Sequence, residues 1–149
     1  YKRQVIVSSD KNISVLGENG VKIWDLSIKS NISPIVSGKT IITITEDNYL
    51  LLIDKETGQI IYSKNLYLLI KNDFKKNFNR KINTIENIYF ANDKLLLISN
   101  NSYFIEINLQ NNINVSSIKK NPFGISSNIV FLQNKMIFVS NSKKVYLVN

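Results

Sequence analysis

A chain with no His and no Cys has lost most of the usual means of doing chemistry. No disulfide, thiolate nucleophile, Cys/His zinc site, His-based triad or metalloprotease motif can be built from it. What remains is carboxylates, Lys and Tyr. The acids Asp10, Glu18, Glu46, Asp47, Glu56 and Asp93 all fall in or beside turn-forming stretches. Their spacing makes no Asp-x-Asp-x-Asp-Gly calcium loop, and solvation of turns accounts for each. The five Gly are scattered singly, so there is no Gly-rich phosphate loop. The expectation is a protein with no catalytic residue and no metal site, in short not an enzyme.

Binding chemistry is the alternative. Lys and Arg exceed Asp and Glu by 19 to 11, for a formal net charge of +8. Such a balance suits an acidic partner. It also follows from AT-rich coding, which the heavy use of Asn, Ile and Lys suggests. The basic residues concentrate in "LYLLIKNDFKKNFNRKINT", residues 66–84. There Lys71, Lys75, Lys76, Arg80 and Lys81 face a single Asp73, with Phe74 and Phe78 interleaved at i, i+4. That spacing predicts a short amphipathic helix. Long insertions often carry a binding surface, so these seven basic and aromatic residues are the candidate partner-binding set. Basic residues with aromatics can contact nucleic acid, but a charge run alone is weak grounds. A protein partner is the expectation, against a solvated loop whose Phe side chains fold back.

The elements that must position these residues come from a repeat. In "KTIITITEDNYLLLIDKETGQIIYSKNL", residues 39–66, a β-branched run, a Glu-Asp-Asn turn and a second apolar run are followed by a Thr57-Gly58 turn and a third run. This pattern predicts a β-meander, with Gly58 at the position needing positive φ. Residues 4–28 and 94–120 follow the same order, and 135–149 gives its first two strands. Asn19-Gly20 falls where Thr57-Gly58 falls, and Trp24 where Tyr62 falls. A further strand precedes three of the units, at 32–38, 86–92 and 127–133. Residues 121–128 read as a connection between units. Four-stranded sheets repeating every ~40 residues predict an all-β propeller of antiparallel blades. The expected repeats are 4–30, 31–66, 85–120 and 126–149, with an insertion at 67–84, all within one partial domain over residues 1–149.

Trp24-Asp25 resembles the end of a WD repeat, but no Gly-His pair opens any unit and Trp24 follows the turn Gly. The segment 52–62 instead resembles the PQQ-like propeller repeat, Ala-x-Asp-x-x-Thr-Gly-x-x-x-Trp. It matches at Asp54, Thr57 and Gly58 and departs at Leu52 and Tyr62. The first repeat keeps Gly20 and Trp24 without the Asp; the third keeps neither Gly nor Trp. In that family the motif docks each blade on its neighbour, which makes Asp54, Thr57, Gly58, Tyr62, Gly20 and Trp24 structural docking residues here. The family usually has seven or eight blades, so the chain reads as about half a ring and as the C-terminal part of a longer protein. Open blade edges would then invite self-association.

The resemblance implies two classes of function. Quinoprotein dehydrogenases hold their cofactor on a Trp beside a vicinal disulfide. With no Cys, and Trp24 in a docking position, no cofactor is expected here. The non-catalytic class is similar to the propeller lipoprotein of the bacterial outer-membrane β-barrel assembly machinery. It implies a periplasmic, protein-binding scaffold, anchored if at all through a segment outside these residues. A catalytic propeller whose cofactor residues lie elsewhere, and a cytoplasmic interaction platform, are the rival expectations. The longest apolar run, residues 66–70, is too short to span a bilayer.

Overall fold

The computed structural model describes residues 4–30, 32–74, 81–91, 93–110, 112–132 and 135–148. Fourteen strands and one helix form among them. The first sheet is β1 (Val5–Ser8), β2 (Ile13–Leu16) and β3 (Lys22–Leu26), in that order. The second is β4 (Ile35–Ser37), β5 (Thr40–Ile44), β6 (Tyr49–Asp54) and β7 (Ile60–Asn65). The helix α1 (Leu66–Asp73) follows. The third sheet is β8 (Ile85–Ala91), β9 (Lys94–Ser99), β10 (Tyr103–Asn108) and β11 (Asn114–Lys120), and the fourth is β12 (Val130–Leu132), β13 (Lys135–Val139) and β14 (Val145–Val148). Every pairing is antiparallel between neighbours in sequence. These are the meandering blades of a β-propeller.

Period-two alternation explains how the sheets stack. On β5, Ile42 and Ile44 belong to one core cluster and Ile41 to another. On β6, Leu50 and Leu52 go with the first, Leu51 and Ile53 with the second. Strand β9 divides likewise, Leu95 and Leu97 on one face, Leu96 and Ile98 on the other. The two middle sheets therefore bury both faces, and the three clusters are the three joints between sheets. The first joint joins Ile13 and Val15 to Ile41 and Ile53. The second joins Ile42 and Leu50 to Leu97, Ile105 and Ile107, with Leu66, Leu69 and Ile70 of α1 closing it. The third joins Ile98 to Ile129 and Phe138.

The helix expected from the Phe74/Phe78 spacing falls largely on residues 75–80, outside the described residues; a helix forms over Leu66–Asp73. Asn65 caps it, its side chain accepting from Tyr67 N at 3.1 Å and Leu68 N at 3.3 Å. Phe74 already has extended backbone, φ −124° and ψ 112°, and closes the helix through its amide to Ile70 O. The apolar face is Leu66, Leu69 and Ile70, at the i, i+3, i+4 spacing. Asp73 fixes the far end, its carboxylate accepting from Val115 N of β11 at 2.7 Å.

Ile105 lies at the centre of the second joint and is fully buried. Ile105→Ala should cost about 2–5 kcal/mol, read as a shift in urea midpoint with unchanged m.

Candidate functional site

A polar corner forms where the first sheet meets the second. After β6 the chain turns at residues 55–58, and the Asp54 carboxylate organises that turn. Its Oδ1 accepts from Glu56 N (3.0 Å), Thr57 N (2.8 Å) and Thr57 Oγ1 (2.9 Å). The bonds from Thr57, backbone then hydroxyl, hold the Asp54 pKa below its ordinary value, with Glu56 N and Lys39 adding to the effect. Gly58 closes the turn at φ +74°, a conformation that costs a side-chain-bearing residue.

Trp24, on β3 of the neighbouring sheet, lies on this turn. Its Nε1 donates to Lys55 O at 2.8 Å. A Cβ at Gly58 would lie 2.8 Å from Trp24 Cδ2, so Gly58 meets two demands at once: positive φ and room for an indole. Gly20 has the same backbone, φ +75°, but nothing within 4 Å of a Cβ position. Tyr62 pairs with Leu52 as Trp24 pairs with Val15, and it packs on the second joint. Burial, then the charge of Asp73, raise its phenol pKa. Ser117 takes the same register position in the third sheet, opposite Glu106. A register shift sits beside this position in all three sheets, at Val15/Leu16, Leu52/Ile53 and Glu106/Ile107. Asp25, the residue after Trp24, stays within its own sheet. It accepts from Ser14 Oγ at 2.6 Å and lies 3.6 Å from Lys22 Nζ. The Ser14 bond is the largest cause of its lowered pKa.

A second repeated device was missed in the sequence. Thr45, Ser99 and Ser140 each open the turn between the second and third strands of a blade. Each hydroxyl accepts from the amide four residues on: Tyr49 (3.0 Å), Tyr103 (2.9 Å) and Lys144 (3.2 Å). Each carbonyl accepts from the amide three residues on, and those residues, Asn48, Ser102 and Lys143, have φ of 62°, 66° and 63°. The next amide in each turn reaches the connector that leads into the blade: Glu46 N to Lys29 O, Asn100 N to Thr84 O, Asn141 N to Phe123 O. These turns and connectors thus share one rim of the stack. The signal was a β-branched residue followed by Ser or Thr and an Asn-containing turn, in "ITEDNY", "ISNNSY" and "VSNSKK".

The basic insertion is only partly placed. Lys71 is exposed in the last turn of α1, where a cation suits the helix dipole. Phe74 is half-buried against the second joint. Lys81 is exposed, and its carbonyl accepts from Asn101 Nδ2 at 2.6 Å. Lys75, Lys76, Phe78 and Arg80 lie outside the described residues. Among the described residues, no group of three or more Asp or Glu could hold a metal ion, and no helix is long and apolar enough to cross a membrane.

The outer strands leave apolar surface open. Val130, Leu132, Val145 and Leu147 are 58%, 59%, 71% and 56% exposed. Val130, Ile137 and Leu147 align across the fourth sheet, on the face opposite Phe138 and Tyr146. On the covered face Phe123, Tyr146 and Phe138 stack in series, at 4.5 and 5.6 Å between centroids, and Phe138 meets Phe104 of the third sheet edge-on at 6.2 Å.

No protein-family model and no curated protein matches the chain. Solved structures do. The chain is similar to BamB from Moraxella catarrhalis, with TM-score 0.64 and 13% identity over 98% of this chain and 42% of that one. It is also similar to BBS1N, solved in complex with ARL6DN, with TM-score 0.65 and 10% identity over 97% of this chain and 45% of that one. A third is KlHsv2 with loop 6CD replaced by a Gly-Ser linker, with TM-score 0.59 and 10% identity over 95% of this chain and 43% of that one. At these identities the likeness is one of fold. The chain spans less than half the length of each.

Two outcomes test the corner. Gly58→Ala should destabilise by at least about 2 kcal/mol, through positive φ and overpacking together, and red-shift the emission of the single Trp. Gly20→Ala should show the backbone cost alone, with emission unchanged. The Asp54 pKa is depressed in the fold, so its contribution is present above the ordinary value of 3.8. It is lost as pH falls from there through the folded value. Carboxyl-carbon NMR should give a midpoint below 3.8, and protection of the Thr57 amide should fall in step.

Proposed function

We propose that this chain is a non-catalytic protein-binding scaffold of the PQQ-like repeat family that assists outer-membrane protein assembly in the bacterial envelope, working on the periplasmic side. The observation that carries the binding part is the exposed apolar face and free outer strand of the fourth sheet. Strands β6 and β10, in the place of β14, each pair with a fourth strand. No described strand pairs with the outer side of β14. Val145, Leu147 and Val148 carry no charge on that edge, and such an edge pairs readily with an added strand. An incoming polypeptide or a second copy of the chain satisfies it equally. The propeller fold shared with BamB and with BBS1N, the latter solved with a protein partner, supports the scaffold reading. The envelope role rests on the PQQ-like resemblance of Asp54, Thr57 and Gly58.

Val145→Lys with Leu147→Lys should leave the melting temperature within a few degrees, since both side chains are exposed. Partner capture from an envelope extract, and self-association by size-exclusion chromatography with light scattering, should fall several-fold. Unchanged capture and association would remove the edge from the reading. Recovery of the native protein from the cytosolic fraction would overturn the envelope assignment.

A further inference from the structure

The first strands of the last three sheets border a second surface of different chemistry. Strands β4, β8 and β12 each end in a hairpin, at Ser37/Thr40, Ala91/Lys94 and Leu132/Lys135. Counting four residues back from each hairpin gives Ser33, Asn87 and Asn128, three small polar residues; Asn87 is paired within β8, and Ser33 and Asn128 stand just before β4 and β12. Two clefts open between them. One, of about 360 Å³, lies between the second and third sheets and is lined by Ser33, Pro34, Glu86 and Asn87 together with Ile32, Ile35, Ile88 and Tyr89. The other, of about 320 Å³, lies between the third and fourth and is lined by Glu86, Asn87, Asn100, Ser102, Ser127 and Asn128 among others. Glu86 and Asn87 border both.

Glu86 is there because of a β-bulge. Ile85 pairs with Ser99 and Asn87 with Ile98, so Glu86 is the unpaired extra residue. Bulges re-aim side chains and recur beside functional sites. Among the described residues, no Lys or Arg lines either cleft. Beside the surface of Ile32, Ile35, Ile88, Tyr89, Ile98 and Ile125, which suits an aliphatic stem, the lining offers one carboxylate, carboxamides and hydroxyls. Such a surface is poor for anions and suited to a cation that donates several hydrogen bonds, which a carboxylate accepts most strongly.

We propose that the paired clefts around Glu86 and Asn87 receive a basic side chain, arginine or lysine, of a partner polypeptide. Glu86 takes the charge, and the amide and hydroxyl oxygens of Asn87, Asn100, Ser127 and Asn128 take the remaining donors. This deepens the scaffold reading and rests on it. It assigns the rim to recognition of a charged residue and leaves the outer edge of β14 to strand pairing.

The test is a ¹⁵N NMR titration of the whole chain with N-acetyl-arginine amide at low salt, with the neutral isostere N-acetyl-citrulline amide beside it. Shifts should centre on Glu86, Asn87, Asn100, Ser127 and Asn128. Glu86→Gln, at an exposed position and so with unchanged spectral dispersion, should weaken binding about tenfold or more. Absent shifts at these amides, equal shifts by the citrulline compound, shifts spread over Asp25, Glu46 and Asp54, or an undiminished Glu86→Gln response would each overturn the proposal. The small probe reads the clefts alone. Its failure would leave capture through β14 standing, and loss of capture would leave the titration standing.

Discussion

A sheet that is apolar on both faces cannot stand in water by itself, and the two middle sheets of this protein are of that kind. Ile41 and Ile42, Leu50 and Leu51, Leu97 and Ile98 are adjacent in sequence and buried on opposite sides. Each fully buried Ile or Leu is worth about 1.5–3 kcal/mol, and it is realised only when a neighbouring sheet covers it. Stacking is therefore the condition for folding, and the polar devices serve it. The Asp54 turn presents a flat glycine surface to Trp24. The Thr45, Ser99 and Ser140 turns hold the connector carbonyls, which would otherwise be unpaired at the rim. Ser30 does similar work inside, its hydroxyl donating to Ile44 O at 2.7 Å with Thr43 Oγ1 at 3.1 Å.

Much of this was legible because a strand's face is written in alternating residues. The two-sided burial of β5, β6 and β9 follows from continuous apolar runs, and the Gly20 and Gly58 turns from residues that tolerate positive φ. The propeller followed from repetition. Other features were hidden for identifiable reasons. The helix at Leu66–Asp73 is set by an Asn cap and three buried aliphatics. Aliphatic burial into a joint is a tertiary fact that local spacing does not report. The Ser/Thr turns were missed because Asn48, Ser102 and Lys143 share a backbone conformation without sharing a side chain. The bulge at Glu86 depends on pairing with β9, and strand pairing leaves no mark on one strand read alone.

Function is less legible than fold because the residues that look chemical are largely structural. Asp54, the most motif-like acid, spends its lone pairs on its own turn. Asp25 spends them on Ser14 and Asn12. Asp73 binds a backbone amide of the next blade. Among the described residues, Asp10, Glu18, Glu46, Asp47 and Glu86 carry no such side-chain bond; of these Glu86 stands on a strand, at a bulge, and no repeat pattern distinguishes it. A propeller separates its scaffold chemistry from its surface chemistry, so recognition has to be sought in residues the repeat does not need.

The three joints are chemically unlike one another. The first is an indole on a glycine turn, the second an aliphatic core closed by a helix, the third a run of stacked and edge-on rings. Repeat chains whose units are interchangeable can dock out of order, skip a unit, or exchange units between molecules during synthesis. Here an indole offered to the third blade meets no Gly58, and the helix that closes the second joint is built from Leu66, Leu69 and Ile70, which belong to that joint's cluster alone. Divergence of the repeats thus encodes the sequence of assembly, so that each blade is correct in only one place.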